Sequence, residues 1–352
     1  MKDFSNKLIE WYEQNKRDLP WRQTKDPYKI WLSEIILQQT RVNQGLSYYR
    51  KFIEHYPTVI DLAKAHEDEV LKLWQGLGYY SRARNLHFTA KEITNNLKGK
   101  FPSEYGEIIK LKGVGKYTAA AILSFSNNQA HAVIDGNVYR VLSRIFGIED
   151  FIDKPKGQKV FNELAQELLN KKKSAIHNQA IMEFGAVHCK PNLPLCDNCC
   201  FQSNCYAYNS NEITNLPKKE KQTKQRNRFF NYLVISDDKN IILNKRGKKD
   251  IWIGLFDFPL IETTTSVDDL QDLFPEEYQW LNNRKYVISK SDEYVHQLSH
   301  QKIHATFWKI KTDQLITNQE HHLISSLNNL ESYPVPKLVE NYIKSLLQNL
   351  YF

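Results

Sequence analysis

Apolar residues recur every three or four positions from Phe4 to about Tyr208, which is the period of an amphipathic α-helix. Short turns containing Gly or Pro separate the helical segments. Clear groups of such apolar residues are Val70, Leu71 and Trp74, then Ala119, Ile122 and Leu123, then Val138, Val141, Leu142 and Ile145. The pattern predicts that residues 1–208 form an all-α domain.

The pattern changes after a polar and basic stretch at 209–228, which we interpret as a linker. Residues 232–235 and 241–243 are short β-rich runs separated by four polar residues, as in a β-hairpin. Alternating apolar positions at Ile303, Ala305 and Phe307 predict another strand. Helices are predicted at 266–273 and around Val339, Tyr342, Ile343 and Leu346. Residues 229–352 are therefore expected to form an α+β domain, and the protein is expected to be multidomain.

Composition agrees with two globular domains, since the chain has 352 residues, 41% of them hydrophobic and 25% charged. No apolar run is long enough to cross a bilayer, and the first ten residues do not resemble a secretory signal. We therefore expect no membrane partner and a cytoplasmic location. The formal net charge of +8 favours a polyanionic partner.

Four of the five cysteines lie within 189–205, at Cys189, Cys196, Cys199 and Cys205. They are separated by six, two and five residues, so one close pair is flanked by a single cysteine on each side. Structural zinc modules usually combine two close pairs, whereas a compact loop of four thiolates suits a cubane iron–sulfur cluster. A zinc site and a set of buried free cysteines remain alternatives. Cys200 is interpreted as a bystander.

The segment 111–118 places two glycines in a tight turn before an Ala-rich helix. Backbone amides exposed at such a helix N-terminus bind phosphate without reading the base sequence. The segment resembles a helix-hairpin-helix DNA-binding element over about 105–124. We expect Gly113, Val114, Gly115 and Lys116 to contact DNA there, with an ordinary helix–helix turn as the alternative.

Two carboxylates stand out in the helical part. Asp135 precedes a predicted helix and is interpreted either as its N-cap or as an anion that faces a cationic sugar in a DNA lesion site. Glu34 shares one stripe of a helical wheel with Gln38 and Arg41. It is either part of a surface ion pair or an acid in an apolar pocket, with a pKa raised enough for proton donation near neutral pH.

A third segment, 76–84, combines glycines, aromatic residues and arginines. Its aromatic residues could belong to the core, or they could wedge between stacked bases while the arginines hold phosphates.

In their order along the chain, these segments closely resemble the adenine DNA glycosylases of the helix-hairpin-helix superfamily. The resemblance covers nearly the whole chain. It rests on the four-cysteine loop and on LPWR at 19–22, SEIILQQTRV at 33–42, GLGYYSRARNL at 76–86, GVGKYTA at 113–119 and DGNV at 135–138.

The resemblance implies a monofunctional glycosylase of base excision repair that removes adenine mispaired with 8-oxoguanine or with guanine. It implies double-stranded DNA as the partner, a monomer, and a 4Fe-4S cluster held by the four cysteines. Glu34 would protonate the flipped-out adenine, and Asp135 would stabilise the oxocarbenium-like sugar. Tyr117 and Asn137 would arrange this centre, and Tyr117 stands where endonuclease III has its nucleophilic lysine. The surroundings of Glu34 and Asp135 are expected to push the pKa values of these two carboxyl groups apart.

By the same resemblance, Trp21, Arg22 and Gln179 belong to an adenine pocket, whereas Gln39, Leu77 and Tyr79 enter the duplex. The C-terminal domain resembles a Nudix-like lesion-recognition domain without the glutamate-rich helix that holds magnesium. Its residues Leu298, Ser299 and His300 align with a Phe-Ser-His segment that reads 8-oxoguanine. Leu298 departs from that pattern, since leucine cannot stack as an aromatic ring does.

Three other functions remain open at this point. A glycosylase-lyase of the endonuclease III type is disfavoured by Tyr117 and Glu34. A noncatalytic damage-binding protein would explain the basic charge without base excision. A zinc-dependent regulator would explain the four cysteines without base excision.

Overall fold

The computed structural model describes residues 3–220, 225–248, 251–270, 274–317 and 319–348. The chain divides into two compact units. The first consists of Met1–Lys64 and Asn85–Lys221, and the second of Ala65–Arg84 and Gln222–Phe352. Within the described ranges, no helix is both long and apolar enough to cross a membrane.

Residues from Phe4 to Asn209 form twelve α-helices and a few short 3₁₀ and π turns. The helices are α1 (Phe4–Asn15), α2 (Pro27–Leu37), α3 (Val42–His55), α4 (Val59–Lys64), α5 (Glu67–Trp74), α6 (Ser81–Leu97), α7 (Tyr105–Ile108), α8 (Lys116–Asn127), α9 (Gly136–Phe146), α10 (Pro155–Leu168), α11 (Ser174–Glu183) and α12 (Tyr206–Asn209). This stretch is described throughout and contains no strand, which confirms the all-α prediction.

The core of the first unit forms where α1, α9, α10 and α11 turn their apolar faces together. On α9, Val138, Val141 and Leu142 are at most 1% exposed, at the spacing that one face of a helix requires. The helix ends at Gly147, whose φ of +70° is left-handed, and a Cβ there would lie 2.7 Å from the Tyr206 ring. Packing along one face and at the C-terminal end thus fixes α9, and with it Asp135 at its N-terminus.

Helix α2 packs against α8, and this pair of helices positions the centre of the site. The helix starts at Pro27, where the Asp26 side chain accepts a hydrogen bond from the Tyr28 amide at 2.9 Å. It ends at Leu37, because Gln39 adopts a left-handed φ of +55°. The predicted helical stripe through Glu34, Gln38 and Arg41 is therefore wrong, since only Glu34 lies within the helix.

In its described residues, the second unit is built on a mixed sheet of eight strands. They are β1 (Arg226–Ser236), β2 (Asn240–Lys245), β3 (Phe256–Asp257), β4 (Leu260–Thr263), β5 (Tyr286–Lys290), β6 (Tyr294–Gln297), β7 (Gln301–Thr312) and β8 (His322–Ser326). The central order is β3-β2-β1-β7-β5, with β1 and β7 parallel and β1 and β2 joined as an antiparallel hairpin. The predicted hairpin and the predicted strand at 303–307 are confirmed.

Apolar side chains cover both faces of this sheet, as the alternation along its strands requires. Tyr232 and Val234 face a core that includes helix α13 (Lys337–Gln348), which confirms the predicted C-terminal helix. Leu233 and Ile235 belong to a second core with Leu270, Phe274, Tyr278 and Leu281.

The helix predicted at 266–273 is wrong for its described part, since 266–270 is irregular. Val267 and Leu270 instead anchor a loop to the sheet, and Leu270 is fully buried. Residues 271–273 lie outside the described ranges. The predicted linker, 209–228, includes the last residue of α12 and the first three of β1. Its residue Lys218 accepts a backbone hydrogen bond from Ile152 at 3.1 Å, so this part packs on the helical unit.

Residues 65–84 pack within the second unit, although their sequence pattern assigned them to the helical domain. The ammonium group of Lys245 lies 2.8 Å from an Asp68 carboxylate oxygen. Lys72 donates a hydrogen bond to the Tyr333 carbonyl at 3.0 Å, and the Val335 amide donates one to Gln75 at 3.2 Å. These polar contacts attach α5 and the following loop to the sheet unit.

Candidate active site

The helical unit contains a cavity of about 520 Å³ between α2, α8, α9 and α11. Eight of the residues selected from sequence line it together: Trp21, Arg22, Glu34, Gln39, Tyr117, Asp135, Asn137 and Gln179. Apolar walls come from Leu19, Ile30 and Met182, among others. A concave site in which polar groups converge between apolar walls is the usual form of a small-molecule or base pocket.

Glu34 is a buried acid in the last turn of α2, with 6% of its surface exposed. The hydroxyl of Tyr117, in the first turn of α8, donates a hydrogen bond to Glu34 Oε2 at 2.6 Å. Burial raises the pKa of Glu34 to about 7, although this hydrogen bond opposes the shift. The surface ion pair considered from sequence is therefore wrong, and the group can exchange a proton near neutral pH.

Asp135 is the N-cap of α9, which is one of the two interpretations of its position, and its side chain also lines the cavity. Its Oδ1 accepts a hydrogen bond from the Val138 amide at 2.8 Å, and its Oδ2 accepts one from Asn137 Nδ2 at 2.7 Å. Asn137 Oδ1 in turn accepts a hydrogen bond from Arg140 at 2.8 Å. The carboxylate is thus held in one orientation by groups that donate to it.

Burial also raises the pKa of Asp135, against the opposing effect of the hydrogen bonds from Val138 and Asn137 and the charge of Arg140. Both carboxyl pKa values therefore shift upward. The surroundings of the two groups still differ, because Asp135 receives several hydrogen bonds that favour its anion and Glu34 receives one.

An ion cluster of Arg17 and Arg22 around the buried carboxylate of Glu183 forms another wall of the cavity. Each arginine has a guanidinium nitrogen 2.7 Å from Glu183 Oε2. Burial alone would raise the pKa of Glu183, but hydrogen bonds from the two arginines outweigh it and lower this pKa to about 2. Arg22 is therefore oriented by a carboxylate that stays ionised.

The remaining cavity residues come from separate elements. Trp21 is 8% exposed and packs edge-on against Tyr49, with ring centroids 5.3 Å apart. Gln179 Oε1 accepts a hydrogen bond from the Tyr12 hydroxyl at 2.9 Å. Gln39, in its left-handed conformation, follows the end of α2.

Sequence reasoning missed Arg17, Glu183 and Arg140. Arg17 lies two residues before the first residue of the LPWR segment, and a charge so close to a pocket motif was a usable signal. Glu183 had no comparable signal, because its partners Arg17 and Arg22 lie 166 and 161 residues away in sequence. Arg140 was missed although its partner Asn137 lies only three residues before it.

The glycine-rich turn lies between α7 and α8, where a helix-hairpin-helix element was predicted. Gly113 has a φ of +80°, and a Cβ there would lie 2.9 Å from Asn85 Cβ, so a side chain would be strained and crowded. Val114 is buried, whereas Gly115 caps α8 and Lys116 is exposed at its first position. The turn presents glycine backbone and a cation at a helix N-terminus.

Leu77 and Tyr79 belong to the second unit and are not part of the cavity. Leu77 is only 7% exposed, whereas Tyr79 is 49% exposed and has a left-handed φ of +46°. The Tyr79 hydroxyl is hydrogen-bonded to the hydroxyl of Ser299. The structure thus joins two residues that were selected independently from 76–84 and 298–300.

Leu298, Ser299 and His300 form the turn between β6 and β7. The Leu298 amide donates a hydrogen bond to the Gln301 carbonyl at 2.8 Å, and its side chain packs partly against the sheet core. Ser299 and His300 are exposed. Leu298 therefore anchors the turn, and the two polar side chains are accessible.

The four cysteines Cys189, Cys196, Cys199 and Cys205 follow α11 in a loop, with their side chains partly buried. Cys200 hydrogen-bonds to Cys199 and, together with burial, raises the pKa of that thiol to about 12. Burial, together with the charges of the other cysteines, raises the pKa of Cys196. Arg144 lies 3.6 Å from Cys189 Sγ, and the Phe201 amide donates to Cys199 Sγ at 3.4 Å.

In the described part of the chain, no group of three or more His, Cys, Asp or Glu side chains is arranged as ligands of a metal ion. The chemistry of the donor set nevertheless fits a cationic cofactor. The thiols disfavour one another's ionisation, and two N–H donors already point at their sulfurs.

Comparisons with known proteins match two separate parts of the chain. Residues 32–170 match the family model of the HhH-GPD superfamily of base excision DNA repair proteins, and residues 231–345 match that of the NUDIX domain. The adenine DNA glycosylase of Buchnera aphidicola subsp. Baizongia pistaciae is 33% identical, over 97% of this chain and 96% of the relative. The human adenine DNA glycosylase is 42% identical, over 58% of this chain and 39% of the relative.

Solved structures agree on the helical part. A thermostable thymine-DNA glycosylase is 32% identical with a TM-score of 0.56, covering 59% of this chain and 96% of its own. An endonuclease III in complex with DNA has a TM-score of 0.52 at 20% identity, which supports the fold. The multidomain prediction, with its helix-hairpin-helix and Nudix-like parts, is confirmed.

The near-complete coverage of curated relatives settles the membership that the motifs predicted. This chain belongs to the adenine DNA glycosylase family, whose members are hydrolases of N-glycosyl bonds.

Proposed function

We propose that this protein removes adenine mispaired with 8-oxoguanine, and also adenine opposite guanine, in base excision repair. The observation that carries the proposal is the pairing of two carboxyl groups in one cavity. Glu34 is buried with a pKa raised to about 7 by burial, and Asp135 is held by donors that favour its anion. Family membership supports the choice of adenine.

The reaction begins with extrusion of the adenine from the duplex into the cavity, where Trp21, Arg22 and Gln179 would hold it. Glu34 would then give its proton to the adenine ring. The N-glycosyl bond breaks with its electron pair on the base, and the sugar becomes an oxocarbenium-like cation. The Asp135 carboxylate would stabilise this cation until water adds and an abasic site remains.

Tyr117 supports a monofunctional enzyme. Its hydroxyl is hydrogen-bonded to Glu34 at 2.6 Å and cannot form the Schiff base that a lysine forms with an abasic sugar. Asn137 orients Asp135 by a 2.7 Å hydrogen bond. We assign both side chains to positioning of the two carboxyl groups.

DNA would be held outside the cavity. The turn at 113–116 offers backbone amides and Lys116 to phosphates, and Gln39 lines the cavity. Tyr79 and Leu77 would enter the duplex around the lesion, although Leu77 would have to leave its buried position. Ser299 and His300 would contact 8-oxoguanine from an exposed turn. A net charge of +8 and a monomeric state are consistent with this mode of binding.

We also propose that Cys189, Cys196, Cys199 and Cys205 hold a 4Fe-4S cluster. A compact loop of four thiolates is a donor set that would suit such a cluster. Electrostatic interaction among the four thiols and the N–H donors at Cys189 and Cys199 support this assignment. When bound, the cluster would cross-link the loop and supply a redox couple.

The decisive experiment incubates the purified protein with duplexes containing adenine opposite 8-oxoguanine, adenine opposite guanine, or thymine opposite guanine, followed by alkali. We expect strand cleavage after alkali for the first two. Cleavage of the thymine duplex alone would overturn the proposal and favour the specificity named for the thymine-DNA glycosylase. Glu34→Gln should abolish adenine release with little loss of DNA affinity, and persistent release would disprove the assigned acid.

A further inference from the structure

Tyr12 is a buried tyrosine of α1 that contacts two residues of the proposed adenine pocket. It is 3% exposed and lies behind the residues that line the cavity. Its hydroxyl donates a hydrogen bond to Gln179 Oε1 at 2.9 Å. The guanidinium carbon of Arg22 lies 5.6 Å from the centre of its ring. Tyr12 takes no part in the proposed chemistry, yet it touches two side chains that would hold the base.

The position of Tyr12 relative to Gln179 is fixed by the packing of α1 on α11, which carries Gln179. A second buried hydrogen bond joins the same two helices, between the Ser5 hydroxyl and His177 Nδ1 at 2.8 Å. Burial also raises the pKa of Tyr12 above its ordinary value, although the charge of Arg22 opposes this shift. The hydroxyl therefore keeps its hydrogen near neutral pH.

The two ends of the Gln179 amide have different hydrogen-bonding properties. The oxygen only accepts, and the NH₂ group only donates. Tyr12 occupies the oxygen, whereas Nε2 makes no hydrogen bond in the described ranges of the chain. Because Gln179 lines the cavity, the end that is left for a bound base is a donor. Without the Tyr12 hydroxyl, the amide could turn over and present either end.

Adenine offers acceptor nitrogens in its ring and a donor in its exocyclic amino group. We propose that Tyr12 is a positioning residue, which holds the Gln179 amide so that its Nε2–H donates to a ring nitrogen of the extruded adenine. In this orientation Gln179 binds the ring and not the amino group. This inference deepens the proposed function and rests on it.

The test measures single-turnover rates of base release by the full-length protein. The duplexes carry, opposite 8-oxoguanine, either adenine or purine, which is adenine without its amino group. The variants are Tyr12→Phe, Gln179→Ala and the two combined. Tyr28→Phe is the matched control, because Tyr28 is also 3% exposed and its hydroxyl donates to the Tyr56 backbone carbonyl at 2.7 Å. Urea unfolding reports the stability of each variant.

We expect Tyr12→Phe to release adenine several-fold more slowly, and we expect the double variant to be no slower than Gln179→Ala. Any loss caused by Tyr28→Phe should instead multiply with the loss caused by Gln179→Ala, since these two residues do not act through each other. Losses of Tyr12→Phe and Gln179→Ala that multiply, or unchanged rates in both single variants, would overturn the proposal.

The purine duplex tests which end of the amide faces the base. Purine keeps the ring nitrogens, so Gln179→Ala should slow its release by the same factor as that of adenine. A loss that disappears on purine would show that the amide oxygen binds the amino group, and it would refute the proposed orientation. This comparison decides the matter even if Tyr12→Phe does not fold.

An unmodified protein that releases no adenine would refute the proposed function and this inference together. An active protein in which the losses multiply would refute only the role of Tyr12.

Discussion

Tyr117 and Glu34 are joined by a 2.6 Å hydrogen bond between the first turn of α8 and the last turn of α2. The bond stabilises the Glu34 carboxylate, and it therefore limits the rise in pKa that burial causes. A tyrosine at this position thus tunes an acid, where a lysine would act as a nucleophile.

Replacing Tyr117 with phenylalanine should shift the pH dependence of adenine release. Without the hydroxyl, the pKa of Glu34 rises further above about 7, so the group remains protonated to higher pH. We expect the alkaline limb of the single-turnover rate to move upward in pH. Tyr105→Phe is the control, since Tyr105 belongs to α7 and stacks on His131 with ring centroids 4.9 Å apart. An alkaline limb that stays in place would show that Glu34 does not set it.

Glu34 should also make the protein less stable as the pH rises. The folded state binds its proton up to a pKa of about 7, whereas the unfolded state releases it near 4.5, so the free energy of unfolding falls between these values. The loss is at most about 3 kcal/mol, from 1.36 kcal/mol per pKa unit.

Glu34→Gln removes this proton linkage while its amide oxygen still accepts from Tyr117. We expect the variant to equal the unmodified protein near pH 4.5 and to exceed it above pH 7, in urea unfolding followed by circular dichroism. Equal stability of the two proteins at pH 8 would contradict a raised pKa.

Glu183 should have the opposite pH dependence. Hydrogen bonds from Arg17 and Arg22 overcome the effect of burial and lower the pKa of Glu183 to about 2. Its contribution is present above pH 4.5 and disappears as the pH falls toward 2. Glu183→Gln leaves two arginines near an uncharged group, and we expect a loss of about 3 kcal/mol at pH 7, with a smaller loss at pH 3.

Glu163→Gln serves as the control for this prediction, because Glu163 is an exposed residue whose ion pair with Lys159 is long, at 3.8 Å. Urea unfolding at both pH values distinguishes the two variants. A loss for Glu183→Gln that is as large at pH 3 as at pH 7 would point to packing instead of charge.

Local sequence predicted the site well where the chemistry lies in short segments. The helical period around Glu34 and the capping pattern before α9 placed both carboxyl groups on their elements, and packing of α2 on α8 brought them into one cavity. The end of α2 was missed, because no Gly or Pro marks it and the left-handed backbone falls on Gln39, a residue type that is common within helices.

Long-range partners could not be predicted. Glu183 is hydrogen-bonded to Arg17, which lies 166 residues away in sequence. The sequence around each residue gives no sign that the other will pair with its charge. Likewise, α5 has an ordinary helical pattern, and only contacts such as Lys245 with Asp68 reveal that it packs with the sheet unit. The spacing of apolar residues along the chain predicts whether a segment forms a helix or a strand. The elements against which that helix or strand packs depend on the whole fold.

The hydrogen bond between Tyr79 and Ser299 should couple the two residues in recognition of the base opposite adenine. Tyr79 has a left-handed backbone and a half-exposed ring, so the bond is the contact that orients its hydroxyl end. We expect Tyr79→Phe and Ser299→Ala each to reduce the preference for 8-oxoguanine over guanine, measured as the ratio of single-turnover rates on the two duplexes.

A double-mutant cycle separates this coupling from two independent contacts with DNA. If the pair acts as a unit, the double variant loses little more preference than either single variant, with an interaction energy of about 0.5–3 kcal/mol. Tyr208→Phe, at an exposed residue of α12, controls for loss of a tyrosine hydroxyl elsewhere. Strictly additive losses would mean that Tyr79 and Ser299 contact the lesion separately and that their hydrogen bond plays no part in selecting it.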